Sequence, residues 1–229
     1  SRVIRTMVPA WPHLARGGAR WLEVARGGEA VVSEQLILHP ELGRRIHVTG
    51  HSCAGKSTLA AQLATSLSVP CIELDALNWL PDWVGLNATD PARLDARILE
   101  ATKGEGWVLA GSYESFTERL CWSRLESLVF LDLPRWLLLL RVLRRSWRRW
   151  RMNELLWGTN YEKFWPQLAV WNREQSLVWW IWTQHARKRA RFAAMQADPR
   201  YAHIRLVHLR SVAAINAFQE QFDLPAPVS

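Results

Sequence analysis

The sequence predicts an α/β protein, a parallel sheet with helices on both faces, and three observations predict it. Short apolar runs that read as strands alternate with stretches of helical periodicity. One stretch, Gly50-His51-Ser52-Cys53-Ala54-Gly55-Lys56-Ser57-Thr58, stands between such a strand and such a helix. Later in the chain, a long helical segment carries a row of arginines and no acid.

Gly50 to Ser57 fits G-x-x-x-x-G-K-[ST], the phosphate-binding loop (P-loop, or Walker A) of nucleotide-binding proteins. The physics calls for these residue types. Gly50 and Gly55 let the backbone turn tightly, so that successive N–H groups point at a phosphate. The following helix adds the partial positive charge of its N-terminus. Lys56 supplies a full charge to the outer phosphates, and the Ser57 hydroxyl can ligate Mg²⁺. The context has the required order. Ile46-His47-Val48-Thr49 alternates as a strand before the loop, and Leu59, Leu63 and Leu67 recur at helical spacing after it.

With 229 residues, 49% of them hydrophobic, the chain can build one α/β domain around a proper core. The longest uncharged run, Ser57 to Ile72, holds 16 residues and is rich in Ser and Thr, so no transmembrane helix is expected. Cys53, Cys71 and Cys121 form no C-x-x-C pair. That argues against a disulfide scaffold or a cysteine zinc site and fits a reducing cytoplasm. The net charge is +8. Residues 135–151 hold seven Arg and residues 185–191 four Lys or Arg, with no acid in either segment. Those charges exceed the net value, so the remainder of the chain is acidic overall, and the basic field is concentrated where a polyanion would meet it.

Residues 1–44 read as an N-terminal extension of unknown role. Ala-Arg-Gly-Gly occurs twice, flanking Trp21-Leu22-Glu23-Val24, which reads as a short strand. After the loop helix, Val69 to Leu74 reads as a second strand ending at Asp75. A helix is expected from Asp90 to Lys103, with Asp90 as N-cap and Pro91 in its first position. Trp107-Val108-Leu109-Ala110 is a third strand, ending in Gly111-Ser112-Tyr113. Leu128 to Leu131 is a fourth, and His203 to Leu209 a fifth. Ser211 caps a last helix through about Glu220. Five strands alternating with helices make a parallel sheet covered on both faces. Between strands four and five lie about seventy helical residues. There Leu140, Leu143, Trp147 and Trp150 form an apolar stripe expected to pack. Arg141, Arg144, Arg148 and Arg151 form an adjoining row. A second crowd of tryptophans, Trp165, Trp171, Trp179, Trp180 and Trp182, suggests a lid core, a homodimer face or a membrane-surface anchor, with core or self-association first.

Several segments together resemble a known group: Gly-His-Ser-Cys-Ala-Gly-Lys-Ser at 50–57, Leu-Asp-Ala-Leu-Asn-Trp at 74–79, Trp-Val-Leu-Ala-Gly-Ser-Tyr at 107–113, Phe-Leu-Asp-Leu-Pro-Arg-Trp at 130–136 and His-Leu-Arg-Ser at 208–211. They are similar to the P-loop, adenylate-kinase-like proteins of the FlaR-type DNA topology modulation family. The resemblance covers roughly residues 45–223. It implies a P-loop NTPase of nucleotide-kinase-like fold, with a five-stranded sheet, an arginine-rich helical lid at about 135–200 and a short tail at 224–229. It also implies ATP and Mg²⁺ as cofactors. One departure stands out: where members of that group carry an aspartate before the glycine that ends strand three, this chain has Ala110.

The resemblance and the chemistry of phosphoryl transfer assign expected roles. Lys56 and the loop residues Gly50, His51, Ser52, Cys53, Ala54, Gly55, Ser57 and Thr58 bind the nucleotide. Arg141 and Arg145, with Arg144 and Arg148, close over the transferring group, since guanidinium meets phosphate oxygens in pairs. By analogy Arg210 lies near the adenine. Asp75 fits a general base for an acceptor hydroxyl or, with Ser57, a ligand of the metal, and a cap or turn role is its structural alternative. Trp79, Gly111 and Tyr113 would line the acceptor pocket. Asp132, just before Pro134, fits a cap or turn. The expected function is transfer of the γ-phosphoryl group of ATP to a small hydroxyl- or phosphate-bearing, nucleotide-like acceptor. The alternatives are a nucleotide-dependent nucleic-acid-binding protein and a kinase acting on an antibiotic or other specialised metabolite.

Overall fold

In the computed structural model, residues 21–24, 42–152, 155–156, 160–161 and 177–225 are described. A six-stranded sheet forms the centre, with its strands in the order β1 (Trp21–Val24), β10 (Arg205–Leu209), β7 (Ser127–Leu131), β2 (Arg45–Gly50), β6 (Trp107–Ala110) and β3 (Cys71–Glu73). Every neighbouring pair is parallel. The five strands expected from apolar runs are all present. The sixth comes from the N-terminal segment: Trp21–Val24 adds to the edge beside Arg205–Leu209. Leu42, just before β2, is 1% exposed, so the chain has already entered the core there. Trp165 and Trp171, the N-terminal residues outside β1 and 42–44, and the tail beyond Pro225 lie outside the described residues.

Buried faces explain the layering. Strands β2, β6 and β7 are buried along nearly their whole length, as continuous apolar runs require when helices cover both faces. On one face, Val48, Val108, Val129 and Val207 meet Ala60 and Leu63 of α1 (Lys56–Leu67). The same cluster takes in Leu138 and Val142 of α6 (Arg135–Met152) and Phe218 of α8 (Val212–Gln221). On the other face, Leu109, Leu128, Phe130 and Leu206 meet Leu94 and Ile98 of α4 (Pro91–Ala101). Cys121 of α5 (Glu114–Cys121) and Phe192 and Met195 of α7 (Leu177–Ala197) complete that cluster. Two caps are as expected. Asp90 Oδ1 accepts from the Arg93 N–H at 3.1 Å, and Ser211 Oγ accepts from the Ala214 N–H at 3.0 Å. Each satisfies an otherwise orphaned helix donor, which contributes about 1 kcal/mol.

Two local expectations need correction. The chain leaves β3 at Glu73 and turns at once into the short helix α2 (Leu74–Asn78), so Asp75 stands on a helical turn and Glu73 is the acid at the strand end. In α6 the buried stripe is Leu138, Val142 and Ser146. Leu140, Leu143, Trp147 and Trp150 are 42–47% exposed. The helix is apolar on more than one side, so periodicity alone could not select the face. Arg135 of α6 stacks over Trp182 of α7, 5.1 Å from the ring centroid, where the two helices meet. α3 (Leu86–Thr89) and the antiparallel pairs β4–β5 (Trp79–Leu80, Val84–Gly85) and β8–β9 (Leu155–Leu156, Asn160–Tyr161) are short excursions from the main sheet.

The chain has a P-loop NTPase fold. Its strand order reverses direction at β2, which has β6 on one side and β7 on the other. The glycine-rich loop follows the C-terminal end of that strand, where ligands bind in open α/β sheets.

Candidate active site

The loop has the backbone of a phosphate cradle. Gly50 has φ +145°, and a Cβ there would lie 2.6 Å from the Leu131 carbonyl oxygen. Gly55 has φ +100° and begins α1, whose first turn has no acid and no side-chain cap. The donors at that helix end are therefore open to an anion. Lys56 Nζ donates to the His51 carbonyl at 2.8 Å, which folds the lysine back over the loop. Burial, then the nearby Lys188 charge, lowers the Lys56 ammonium to about 8.

Three more cations face this loop. Lys188 of α7 donates to the Gly50 carbonyl at 3.0 Å and lies 3.6 Å from Glu114. Arg141 of α6 reaches 3.4 Å from the carbonyls of Cys53 and Ala54. Arg145, one turn further on, is close enough to Lys56 to act on its charge, and its Nε is buried with no hydrogen-bond partner. Arg144 and Arg148 were expected to join them. Both are exposed, on the side of α6 away from the buried stripe. Helical geometry accounts for this: once Leu138, Val142 and Ser146 face the core, positions 141, 145 and 149 lie beside them, while 144 and 148 turn outward. Arg210 is exposed just past β10, two strands from the loop.

The acids come from both sides. Glu73 receives a hydrogen bond from the Ser57 hydroxyl, and burial raises its carboxyl above the ordinary range. Asp75 Oδ1 accepts from the Tyr113 hydroxyl at 2.9 Å. Burial, then the Asp75 charge, pushes the Tyr113 phenol well above its usual value, so it stays a donor. Gly111 lets this corner close, because at φ +153° a Cβ would meet that of Leu74 at 2.7 Å. Trp79 packs edge-on against Trp83 with centroids 5.6 Å apart, beside the same corner. Glu114 accepts from the Thr49 hydroxyl. Burial alone would raise the Glu114 carboxyl, but Lys188 and Thr49 hold it below the ordinary range. Ser112 Oγ donates to the Gly50 carbonyl at 2.7 Å and ties the end of β6 to the loop. A cavity of about 260 Å³ opens beside these groups, lined by Thr49, Ser112, Glu114 and Lys188, with Trp122 and Phe130 on its apolar wall.

The sequence reading missed Glu73, Glu114 and Lys188. A signal for Glu73 was available, an acid at the end of an otherwise apolar strand. Lys188 was legible only as part of a basic run, because its approach to Gly50 spans 138 positions. Asp132 is no cap. It is 2% exposed and accepts from Arg189 Nε at 2.7 Å and from His208 Nε2 at 2.9 Å. Burial would raise its carboxyl, but these two partners hold it below the ordinary range.

The donor set suits a hard divalent cation at Ser57. The hydroxyl is exposed at the start of α1, and the Glu73 carboxylate behind it can reach such an ion directly or through its water shell. The open donors at the start of α1 suit a triphosphate.

No protein-family model matches the chain. Over 120 residues the chain is 29% identical to the uncharacterized protein YqaC of Bacillus subtilis (strain 168). The match spans 52% of this chain and 66% of that protein, just under two thirds of it. Among solved structures, the chain is similar to a shikimate kinase from Acinetobacter baumannii in complex with shikimate, with a TM-score of 0.45 and 20% identity. That likeness covers 79% of this chain and 92% of the other. A shikimate kinase from Bacteroides thetaiotaomicron gives a TM-score of 0.42 at 20% identity, over 79% and 98% of the two chains. Among the described residues, no helix is long and apolar enough to cross a membrane.

Proposed function

We propose that the protein is an ATP-dependent phosphotransferase that moves the γ-phosphoryl group to a small hydroxyl- or phosphate-bearing acceptor, nucleotide-like compounds included. The observation that carries this reading is the convergence of Lys56, Lys188, Arg141 and Arg145 on one phosphate loop. Phosphoryl transfer is mostly positioning and charge neutralisation, and this arrangement supplies both.

In this reading Lys56 and the amides of residues 50–58 hold the β- and γ-phosphates. Arg141 and Arg145 cover the transferring group from α6, and Lys188 approaches it from α7. Ser57 and Glu73 hold the metal, and Asp75 is left for the acceptor. A magnesium ion held by Ser57 and Glu73 would supply the positive charge that offsets negative charge developing on the phosphates. Asp75, oriented by the Tyr113 hydroxyl, takes the proton of the acceptor hydroxyl. Trp79 and Gly111 shape the space next to it. Membership of the FlaR-type family and a cytoplasmic location rest on the sequence motifs and on cysteines that form no C-x-x-C pair.

A second reading, a nucleotide-dependent nucleic-acid-binding protein, is favoured by the outer side of α6. There the half-exposed Trp147 and Trp150 stand among the exposed Arg144, Arg148 and Arg151. Guanidinium groups grip phosphates and indole faces stack on bases.

The test is ADP release in Mg²⁺ with a panel of nucleosides, nucleotides and small alcohols, comparing the wild type with Lys56→Ala. Acceptor-stimulated release that vanishes in the variant supports the kinase. ATP binding with no stimulation by any acceptor, together with salt-sensitive DNA binding that survives Lys56→Ala, supports the second reading instead.

A further inference from the structure

Behind the phosphate loop lies a cluster of side chains that the kinase reading does not use. His51 in the loop, Asp132 at the end of β7 and His185 on α7 are all buried, and one ligand atom from each lies within 4.8 Å of the others. His51 is 0% exposed, yet neither of its ring nitrogens has a hydrogen-bond partner. Asp132 Oδ1 is buried and accepts no hydrogen bond, with His185 Nε2 3.7 Å away. Buried polar atoms without a hydrogen-bond partner are costly, so an unpartnered imidazole beside an unpartnered carboxylate oxygen calls for an occupant.

The surroundings turn one oxygen of Asp132 into the cluster. Asp132 Oδ2 is taken by Arg189 and His208, which leaves Oδ1 turned into the cluster. His185 Nε2 lies 3.1 Å from the Leu133 carbonyl. The same nitrogen lies 3.7 Å from Asp132 Oδ1, so it is the atom that His185 turns toward the carboxylate. The two cations nearest on α7 are already engaged, Lys188 with Glu114 and Arg189 with Asp132.

We propose that His51, Asp132 and His185 form a binding site for a borderline transition-metal dication such as Zn²⁺, Co²⁺ or Ni²⁺. Two imidazoles and one carboxylate suit such ions, whereas Mg²⁺ takes oxygen donors. Bonds of roughly 2.0–2.2 Å bring the ligand atoms of one ion within about 4.4 Å of each other. The trio closes onto the metal when the His51 ring turns out of its stack on His185, where the centroids are 4.6 Å apart and the planes 10° apart. The bound ion pins the phosphate loop to β7 and α7. Cysteine spacing could not reveal this site, because its donors come from three distant segments and none is a thiol.

The experiment is a titration of the metal-free full-length chain with Co²⁺ in excess Mg²⁺, read by visible absorption and by metal content after gel filtration. The expected result is one cobalt per chain, with d–d bands of nitrogen and oxygen ligation. Affinity should fall about 100-fold or more in His51→Ala and in His185→Ala and stay unchanged in Cys53→Ser and Lys56→Ala. X-ray absorption of the zinc-loaded wild type, which needs no variant to fold, should show imidazole scattering and no sulfur. Absence of stoichiometric cobalt, sulfur ligation, or binding that survives both histidine substitutions would overturn the proposal. In the first case a buried water is the occupant.

Discussion

Glu73 on β3 and Ala110 on β6 are register partners across the parallel ladder. Their side chains therefore leave the sheet on the same face, at its C-terminal edge, one strand spacing apart. A carboxylate is present at this corner even though residue 110 is alanine, and it is the one that receives the Ser57 hydroxyl.

This pairing makes the position of the acid testable by exchange. Glu73→Ala should lower Mg²⁺-dependent turnover by about 100-fold and raise the Mg²⁺ concentration needed for half-maximal rate. Adding Ala110→Asp to that background should recover about tenfold or more, because it returns a carboxylate to the same corner. ADP release measured across a Mg²⁺ series decides it. Unchanged turnover in Glu73→Ala would remove this residue from the metal's surroundings.

The two sides of α6 should behave differently. Arg145→Ala should reduce kcat by about 100-fold or more with little change in ATP affinity, as for a guanidinium that acts on the transferring group. Arg144→Ala and Arg148→Ala should stay within about threefold of wild type, because those side chains are exposed. Steady-state kinetics of the three variants check this, and equal losses in all three would mean that the inward row is misassigned.

Nucleotide binding should take up protons. Lys56 is lowered to about 8 by burial and by Lys188, so above that pH much of it is neutral in the free protein. A triphosphate favours the charged form and draws its pKa upward. Uptake should be small near pH 6 and grow toward pH 9. Calorimetric titration in buffers of different ionisation enthalpy measures it directly, and Lys56→Met should abolish the pH dependence.

Acid should weaken the fold through His47. Burial lowers this imidazole to about 4, and its Nε2 lies 3.2 Å from the Gly111 carbonyl. The unfolded chain takes up the proton near 6.5, whereas the folded chain resists until about 4. Stability is therefore fully present above the unfolded value and is lost as pH falls through that window, by roughly 3 kcal/mol at pH 4. Denaturant midpoints between pH 7 and 4.5 should show the slope, and His47→Gln should reduce it, leaving the part that comes from His51, whose imidazole burial lowers to about 3.

The sequence by itself determined much of this protein. The loop from Gly50 to Thr58, the strand at Trp107–Ala110 and the caps at Asp90 and Ser211 are local features, written in a few adjacent residues whose backbone preferences suffice. The alternation of strands and helices fixed the layered class, because short apolar runs must be covered on both faces. What only the tertiary structure decided depends on what lies across from each element. Periodicity gave the angular spacing of the α6 residues. The choice to bury Leu138, Val142 and Ser146 rather than the tryptophan stripe was made by the sheet face on which that helix lands. That choice turned Arg145 inward and Arg144 outward. Strand pairing likewise set Glu73 beside Ala110, and the return of α7 set Lys188 on Gly50 and His185 beside His51. These are contacts between residues tens of positions apart or more, and chain spacing carries no information about them until the fold closes.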